Sequence, residues 1–263
     1  MATPIESTKN PLIRRFRQAA RGEDATLMVA EGQRLVDAAL EAGLRVVEAV
    51  YGPKLLGRPG GEEQVAKLRE VSGSIRECSD KVIQRLSHLD THQGVSVILR
   101  RPVWEFTDLL GAGPALLVVA AGIQDPGNLG ALVRAAEAAG ASGLLVLAGS
   151  ADPYRDKALR GSAGSVFRLP CLSGVDTKLA LQQIRGHGLQ LLVAESSSDS
   201  TCWDTDLKLP TALVLGAEGA GVSARIASAA DALVSVPIVP AVESLNVSVA
   251  AGVLLFEARR QRR

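Results

Sequence analysis

With 263 residues, the chain is long enough for two compact domains or one large one, and its 47% hydrophobic but only 3% aromatic content predicts a core of Val, Leu and Ala. A formal net charge of +1 does not indicate a strongly basic nucleic-acid binder, and three scattered cysteines without a CxxC pair argue against structural zinc and for a reducing compartment. No apolar run has the roughly 18 to 20 residues of a membrane span, and no signal-peptide pattern opens the sequence, so we expect a cytoplasmic protein with no membrane partner.

The first predicted element is a basic helix near residues 10–21. The cations of the first 21 residues are Lys9, Arg14, Arg15, Arg17 and Arg21, against the single carboxylate of Glu6. A second basic run ends the sequence, Arg259-Arg260-Gln261-Arg262-Arg263. Such clusters either contact phosphates or form a solvated helix face and a frayed tail, and the sequence alone leaves both interpretations open.

Alternating strand and helix patterns then predict an αβα sandwich of under 100 residues. The expected strands are 26–30, 45–51, 74–78 and 94–99, and the expected helices are 33–42, 62–71 and 80–86, the last with Ser79 as its N-cap. Residues 100–114 have the composition of a linker.

A larger α/β region follows, with strands expected near 115–120, 143–148, 165–169, 189–194, 211–215 and 233–236. Its first helix begins after the turn Asp125-Pro126-Gly127, with Asn128 as a good N-cap and Gly140 as the residue that closes the helix. Strand, helix and strand in this order predict a parallel sheet.

Two further strand ends carry polar residues. The strand at 212–215 enters a glycine-rich turn that contains Glu218, with Ser223 placed to cap the next helix. The segment 236–251 opens as a buried strand, presents Glu243, Ser244 and Asn246 in a loop, and ends as an Ala- and Val-rich helix. Backbone groups where a strand connects to a helix are free to hydrogen-bond a ligand. Neither turn has the glycine spacing of a dinucleotide-binding site or of a P-loop.

These three segments resemble, in order, the three motifs of the SpoU/TrmH family of RNA ribose 2′-O-methyltransferases, of the knotted SPOUT class. The matching residues are Asn128 with Arg134, then Gly216-x-Glu218-Gly219-x-Gly221, then Glu243-Ser244-Leu245-Asn246-Val247-Ser248. The earlier part resembles the family's substrate-binding domain through Ser7-Thr8-Lys9-Asn10-Pro11-Leu12-Ile13, Glu31-Gly32-Gln33-Arg34-Leu35-Val36 and Gln93-Gly94-Val95. Two positions depart from the pattern: Pro240 stands where the family usually has Gly, and Ile238 where it has Met.

The resemblance implies an α/β fold in two domains. An L30e-like αβα sandwich that binds RNA would occupy residues 1–104, and a SpoU-type methyltransferase domain residues 112–263. The second domain would be a trefoil-knotted, Rossmann-like parallel sheet, in which the chain after residue 236 passes through the loop that precedes it. It would also form a homodimer with a site shared between subunits.

The implied reaction transfers a methyl group from S-adenosylmethionine to a ribose 2′-hydroxyl of RNA, with 23S or other rRNA favoured. The implied cofactor-binding residues are Ala194, Gly216, Val236 and Leu245, with Glu195 near the adenosine. The implied catalytic residues are Asn128, Arg134, Glu218, Ser244 and Asn246. No metal is required, and the three histidines, His88, His92 and His187, have no ligand spacing.

Arg134 is the expected centre of the chemistry. A guanidinium essentially never deprotonates, so we expect it to clamp a phosphate and stabilise the forming alkoxide rather than act as a base. Glu218 would fix Arg134 or a turn amide, whereas Asn128 has a possible second role as a helix cap, and Ser244 and Asn246 as loop-shaping residues. The alternative functions are a tRNA 2′-O-methyltransferase and a non-catalytic RNA-binding or ribosome-assembly module, with a nicotinamide-dependent enzyme a distant third.

Overall fold

The structure, a computed structural model, describes residues 3–87, 90–217, 219 and 221–263. It divides into two compact units. The first unit runs up to Val103 and also includes Tyr154–Phe167, and the second holds Trp104–Pro153 and Arg168–Arg263. The functional domain boundaries at residues 104 and 112 stay a prediction.

Helices and strands alternate through most of the chain. The helices are α1 (Pro11–Arg21), α2 (Gln33–Glu41), α3 (Pro53–Leu56), α4 (Gly61–Val71), α5 (Asp80–Leu86), α6 (Pro126–Ala139), α7 (Asp156–Ser162), α8 (Thr177–Gly186), α9 (Ala224–Ala229) and α10 (Val247–Gln261). The strands are β1 (Leu27–Glu31), β2 (Val46–Tyr51), β3 (Ile75–Glu77), β4 (Val95–Arg100), β5 (Leu116–Ala121), β6 (Gly143–Leu147), β7 (Cys171–Val175), β8 (Gln190–Ala194), β9 (Thr211–Gly216) and β10 (Ala232–Val234). Short 3-10 helices lie at Phe106–Leu109 and Ser165–Phe167.

The first unit is built on a mixed sheet in the order β1-β4-β2-β3. Strand β4 runs antiparallel to β1 and β2, and β3 runs parallel to β2. The predicted strands and helices of this part agree with the structure, with ends displaced by no more than a residue. Ser79 occupies the N-cap position of α5, but its side chain makes no capping bond.

Helix α1 has one apolar and one basic face. Its start is capped by the side chain of Asn10, which accepts a bond of 2.9 Å from the backbone N–H of Leu12, and it ends at Gly22 in the left-handed region, at φ 69°. The buried stripe consists of Ile13, Phe16 and Ala19. Burial of side chains as large as Ile and Phe contributes about 1.5–3 kcal/mol each, which fixes the helix with its arginines directed away from the core.

Two of the N-terminal motifs meet in this unit. The side-chain oxygen of Gln93 accepts a bond of 3.1 Å from the N–H of Gln33. Gly32 has φ 90°, and a Cβ there would lie 3.0 Å from the same oxygen. A Cβ on Gly94 would lie 2.4 Å from the backbone nitrogen of Leu55. These motif residues therefore hold α2, α3 and β4 together.

The segment Tyr154–Phe167 belongs to the first unit although it lies far along the chain. The guanidinium of Arg155 donates a bond of 3.0 Å to the carbonyl of Ala20 and so caps α1. The predicted strand at 165–169 is wrong, because Ser165–Phe167 forms one buried 3-10 turn after Ala163 and Gly164, both in the left-handed region. A short buried apolar run next to a glycine does not distinguish a strand from a tight turn.

The second unit contains a sheet in the order β10-β8-β9-β5-β6-β7, in which every neighbouring pair is parallel. The central strand β5 is buried at each position, as expected for a strand covered on both faces. The predicted α/β class with a parallel sheet is confirmed. Strand β7 was not predicted: it is an edge strand, Gly174 interrupts it at φ 74°, and its pairing with β6 is irregular.

Helix α6 begins one turn earlier than its predicted cap. Asp125 is the N-cap, and its carboxylate accepts a bond of 2.9 Å from the N–H of Asn128. Pro126 occupies the first helical position, where its fixed φ and missing N–H carry no penalty. The prediction of Asn128 as the cap is therefore wrong, while Gly140 closes the helix as expected, at φ 79°.

Helix α10 packs mainly on α6. Within the part of the chain that the structure describes, no helix combines the length and apolar character needed to cross a membrane. Cys78, Cys171 and Cys202 are buried and free. The threading of the chain after residue 236 stays a prediction.

Candidate cofactor cleft and catalytic residues

A cleft of about 310 Å³ opens at the carboxyl ends of β8, β9 and β10. Its apolar wall includes Leu215, Val234, Val236, Ile238, Leu245, Val247, Ala250 and Leu254. Its polar groups belong to Glu195, Ser196, Ser235, Glu243 and Ser244. The ends of neighbouring parallel strands are the usual ligand-binding edge of such sheets.

The four predicted cofactor positions, Ala194, Gly216, Val236 and Leu245, all line this cleft. They come from β8, β9 and the segment that joins β10 to α10, and the parallel order of the strands places their ends side by side. Their contact with a cofactor stays a prediction. What the structure adds is that residues up to 51 positions apart in the chain face one cavity.

The floor of the cleft is a closed glycine turn after β9. Ala217 and Gly221 exchange two backbone bonds, of 3.0 and 2.9 Å. A Cβ on Gly216 would lie 2.5 Å from the carbonyl carbon of Gly221, so a side chain at that position would collide with backbone. Glycine at 216 is therefore required by the turn itself. Glu218, a predicted catalytic residue, lies outside the described residues.

Pro240 fits the loop that precedes α10. The N–H of Val242 donates a bond of 3.0 Å to the carbonyl of Val239, which places Pro240 second in a tight turn. Proline is favoured at this position because its ring presets φ and the turn does not use its N–H. Pro240 is exposed and does not line the cleft. The departure from the family pattern is thus compatible with the loop geometry.

Asn246 and Asn128 are hydrogen-bonded to each other. The side-chain Nδ2 of Asn246 donates to Oδ1 of Asn128 over 3.1 Å, and the hydroxyl of Ser248 donates to the backbone carbonyl of Asn128 over 3.1 Å. Asn246 is also the N-cap of α10, since its Oδ1 accepts a bond of 3.0 Å from the N–H of Ser248. Two predicted catalytic residues are therefore adjacent, and Asn246 also caps α10, a role that the sequence analysis did not assign to it.

Arg134 is not hydrogen-bonded to the described residues of this cluster. It is exposed on α6, six positions after Asn128, and six residues of helix correspond to a rotation of about 240°. Arg134 does not line the cleft, and no described residue forms a hydrogen bond or ion pair with it. Ser244, in contrast, is exposed at the mouth of the cleft.

Ser248 and Gly221 have roles that the sequence interpretation did not assign. Ser248 ties α10 to Asn128, and Gly221 closes the turn below the cleft. Ser248 belongs to the third motif, so the signal was present, but a serine two residues into a helix is not distinctive. Contacts of this kind depend on residues remote in sequence.

The histidines have structural surroundings. His92 is buried in the first unit, and this burial lowers its pKa. The ring of His187 packs on Phe106 at 5.1 Å, and its Nδ1 lies 2.8 Å from the carbonyl of Gln183. His88 lies outside the described residues. Among the residues that the structure does describe, no three His, Cys, Asp or Glu side chains are grouped as metal ligands would be.

Comparison with known proteins gives two family matches. Residues 115–256 match the SpoU rRNA Methylase family, and residues 12–96 match an MRM3-like substrate binding domain. An uncharacterized tRNA/rRNA methyltransferase from Synechocystis sp. is 32% identical over 261 residues, which cover 98% of this chain and 93% of the relative.

Solved structures agree over the full length. The AdoMet-bound rRNA methyltransferase from Sinorhizobium meliloti superimposes with a TM-score of 0.87 at 30% identity, covering 98% of this chain and 97% of the other. The SpoU methyltransferase AviRb from Streptomyces viridochromogenes, in complex with AdoMet, gives a TM-score of 0.85 at 26% identity, with 97% and 98% covered.

Proposed function

Because the chain belongs to the SpoU methylase family of RNA methyltransferases, we propose that it transfers a methyl group from S-adenosylmethionine to a ribose 2′-hydroxyl of rRNA. The observation that carries the proposal is the convergence of Ala194, Gly216, Val236 and Leu245 on one cleft at the ends of adjacent parallel strands. A solved relative described as an RNA 2′-O ribose methyltransferase, 33% identical over 99% of both chains, supports the choice of acceptor.

The cleft fits S-adenosylmethionine in its chemistry. Apolar walls exclude water from a reacting methyl group, and the strand ends offer backbone groups to an adenosine. The carboxylates of Glu195 and Glu243 bring negative charge to a cleft that would receive a cationic ligand. When bound, S-adenosylmethionine supplies an electrophilic methyl carbon on a sulfonium. Ala194, Gly216, Val236 and Leu245 would hold it in place.

The polar residues beside the cleft would orient the acceptor. The side-chain amides of Asn128 and Asn246 are hydrogen-bonded to each other, and that of Asn246 also accepts from the N–H of Ser248, so little reorganisation is needed when RNA binds. Ser244 would contact the ribose from the mouth of the cleft. Arg134 would bind the neighbouring phosphate and stabilise the alkoxide as the proton leaves, because its charge is permanent. Glu218 remains a further candidate.

We propose that the protein acts as a homodimer. Val249 and Phe256 on α10 are seven positions apart, which places them on one face of the helix, and both are about half exposed, at 54% and 49%. Exposed apolar side chains aligned on one helix are typical of an interface. The family resemblance implies a site shared between subunits, and we propose that Arg134 of one subunit reaches the cleft of the other. This arrangement accounts for an Arg134 that does not line its own cleft.

RNA would also bind to the first unit through α1. Arg14, Arg17 and Arg21 are spaced by three and four positions and so share a face, opposite the buried stripe. Arg15 pairs with Glu48, and Arg21 forms an exposed ion pair of 3.4 Å with Glu23. Arg14 and Arg21 are exposed and Arg17 is half-buried, and three cations on one side of the helix suit a run of phosphates. We expect this activity in the cytoplasm, where three buried free thiols are stable.

Methyl transfer to unmodified rRNA tests the proposal. The protein is incubated with radiolabelled S-adenosylmethionine and rRNA from a strain that lacks its gene, with and without EDTA. We expect one labelled nucleotide whose 3′ linkage resists alkali, as a blocked 2′-hydroxyl requires, and no loss of activity with EDTA at constant RNA fold. Label on a base, or on tRNA alone, would contradict the proposed acceptor. Failure to bind S-adenosylmethionine in a calorimeter would favour a non-catalytic RNA-binding module.

A further inference from the structure

A second cavity lies at the other end of the parallel sheet. It measures about 240 Å³ and is lined by Leu116, Ala139, Gly140, Arg259, Arg262 and Arg263. We call it the arginine pocket. The basic run at the end of the sequence is therefore not a frayed tail: helix α10 continues to Gln261, and its arginines converge on a cavity between α10, the end of α6 and the start of β5.

Arg262 anchors the pocket. Its guanidinium donates to the carbonyls of Leu207, Pro114 and Leu209 at 2.6, 2.6 and 2.7 Å, and to that of Ala115 at 3.2 Å. These bonds use four of its five N–H donors. Arg262 is half-buried without a carboxylate among the described residues, and its burial lowers its pKa. It supplies a fixed positive charge and holds the chain end in place.

Arg259 and Arg263 remain available for a ligand. Arg259 has only a long contact of 3.5 Å to the carbonyl of Ala138, and its guanidinium lies over Gly140, where a Cβ would be 3.1 Å from it. Arg263 makes no hydrogen bond or ion pair with any described residue. Both side chains are exposed, so a ligand can reach them without a change in the fold.

The pocket has an excess of positive charge. The C-termini of α6 and α10 both end beside it, and each contributes a partial charge of about −0.5. Against this sum of about −1, and against the α-carboxylate of Arg263, stand three guanidinium groups, which leaves an excess of about one positive charge. The neighbouring carboxylates are bound to other cations: Glu257 pairs with Arg260, and Glu137 accepts two bonds, of 2.6 and 2.8 Å, from Arg168. Helix dipoles alone therefore do not neutralise the pocket, whereas an anion would.

We propose that the arginine pocket binds a phosphate group of the RNA backbone, at a point remote from the methylated nucleotide. The pocket is at the amino end of β5 and the cofactor cleft is at the carboxyl ends of the neighbouring strands. Six residues of β5 separate these edges by about 17 Å, since a strand rises about 3.3 Å per residue. The phosphate therefore belongs to a distant part of a folded RNA. This inference rests on the proposed function, because it requires an RNA substrate.

Arg260 provides a matched control. It lies on the same last turn of α10, carries the same charge, and is paired with Glu257 at 2.7 Å instead of lining the pocket. Arg259→Ala and Arg260→Ala each remove one positive charge from the same helix end. A general electrostatic effect would be equal for both variants, while a phosphate contact is lost only with Arg259.

The test measures binding of an unmodified transcript of large-subunit rRNA by the full-length protein between about 50 and 200 mM salt, the range over which phosphate contacts dominate affinity. We expect Arg259→Ala to weaken binding several-fold at low salt. The slope of log Kd against log salt should fall by about 0.7–1, the value of one phosphate contact. Arg263→Ala should act in the same direction, and Arg260→Ala should keep the wild-type slope. In methylation assays, Arg259→Ala should raise KM for the RNA without changing kcat.

Four results would overturn the inference. The first is an equal slope for the Arg259 and Arg260 variants. The second is dissociation of an oligomer by Arg259→Ala, seen by light scattering, which would make the pocket a subunit contact. The third is calorimetric binding of inorganic phosphate that Arg259→Ala abolishes while the RNA slope stays unchanged, which would indicate a small-anion site. In these three cases a wild-type protein that methylates the RNA normally leaves the proposed function intact. The fourth is a wild-type protein that binds neither RNA nor S-adenosylmethionine. This result would contradict both the phosphate site and the proposed function.

Discussion

Asn246, at the start of α10, donates a side-chain hydrogen bond of 3.1 Å to Oδ1 of Asn128 in the first turn of α6. The oxygen of the Asn246 amide accepts from the N–H of Ser248, so its nitrogen must point to Asn128. One amide thus caps a helix and joins the first family motif to the third. The two helices that pack on each other are thereby fixed at the ends nearest the cleft.

Asn246→Ala should lower the free energy of unfolding by about 1–2 kcal/mol. Loss of an N-cap costs about 1 kcal/mol, and a lost hydrogen bond adds about 0.5 kcal/mol at an exposed site such as this one. Asn246→Asp should cost less, because a carboxylate still caps α10 although it cannot donate to Asn128. Urea unfolding of Asn246→Ala, Asn128→Ala and the double variant gives a double-mutant cycle. If the losses of unfolding free energy in the two single variants add up to that of the double variant, the Asn246–Asn128 hydrogen bond contributes nothing to stability.

Arg134→Ala should reduce the rate of methyl transfer by about 100-fold or more, the scale of one main electrostatic stabiliser. Affinity for S-adenosylmethionine should stay unchanged, because Arg134 does not line the cleft. Arg134→Lys should rescue poorly, since an ammonium cannot form the two parallel bonds of a guanidinium. The measurement is single-turnover methylation at saturating cofactor. Turnover close to wild type in Arg134→Ala would exclude a catalytic role.

Gly216→Ala should weaken S-adenosylmethionine binding by tenfold or more. The new Cβ would lie 2.5 Å from the backbone of Gly221, so the turn that floors the cleft must shift. Gly186→Ala is the control, since nothing lies within 4 Å of a Cβ there. The affinity of both variants for S-adenosylmethionine is measured by calorimetric titration. Equal affinities for the two would mean that the turn does not shape the cofactor site.

Phe256→Glu should convert the proposed dimer to a monomer and abolish methylation. A buried, unpaired carboxylate is incompatible with an apolar interface, and the shared site would be lost with it. Leu179→Glu on α8 is the matched control, because Leu179 has the same exposure of 49%. Light scattering at micromolar concentration gives the molecular mass. A wild type that is monomeric and fully active would refute the proposal.

Stability in acid should depend on Glu257. Hydrogen bonds from Arg260 first, and then from Gln261, hold the pKa of this carboxyl at about 2, below its ordinary value of 4.5. A depressed pKa means that the stabilisation is present above pH 4.5 and is lost as the pH falls towards 2. The difference in unfolding free energy between wild type and Glu257→Gln should therefore shrink over that interval. A difference independent of pH would contradict the assignment to ionisation.

The sequence by itself determined the class of fold and most of its strands and helices. Continuous apolar runs such as β5 are buried on both faces of a parallel sheet, and helix ends such as Gly140 carry local signals. Such features depend on neighbours in the chain, so pattern and spacing reveal them. The family resemblance also named Ala194, Gly216, Val236 and Leu245, which line one cleft, while their contact with a cofactor stays a prediction.

Only the tertiary structure decided the remaining points. It selected Asp125 over Asn128 as the cap of α6, placed Tyr154–Phe167 in the first unit, and made 165–167 a turn. It also brought Asn246 within hydrogen-bond distance of Asn128 and placed Arg259, Arg262 and Arg263 around one pocket. The cap and the turn were chosen between local alternatives that the sequence pattern did not separate. The placement of Tyr154–Phe167, the Asn246–Asn128 bond and the pocket depend on contacts with residues remote in the chain, which no local pattern encodes.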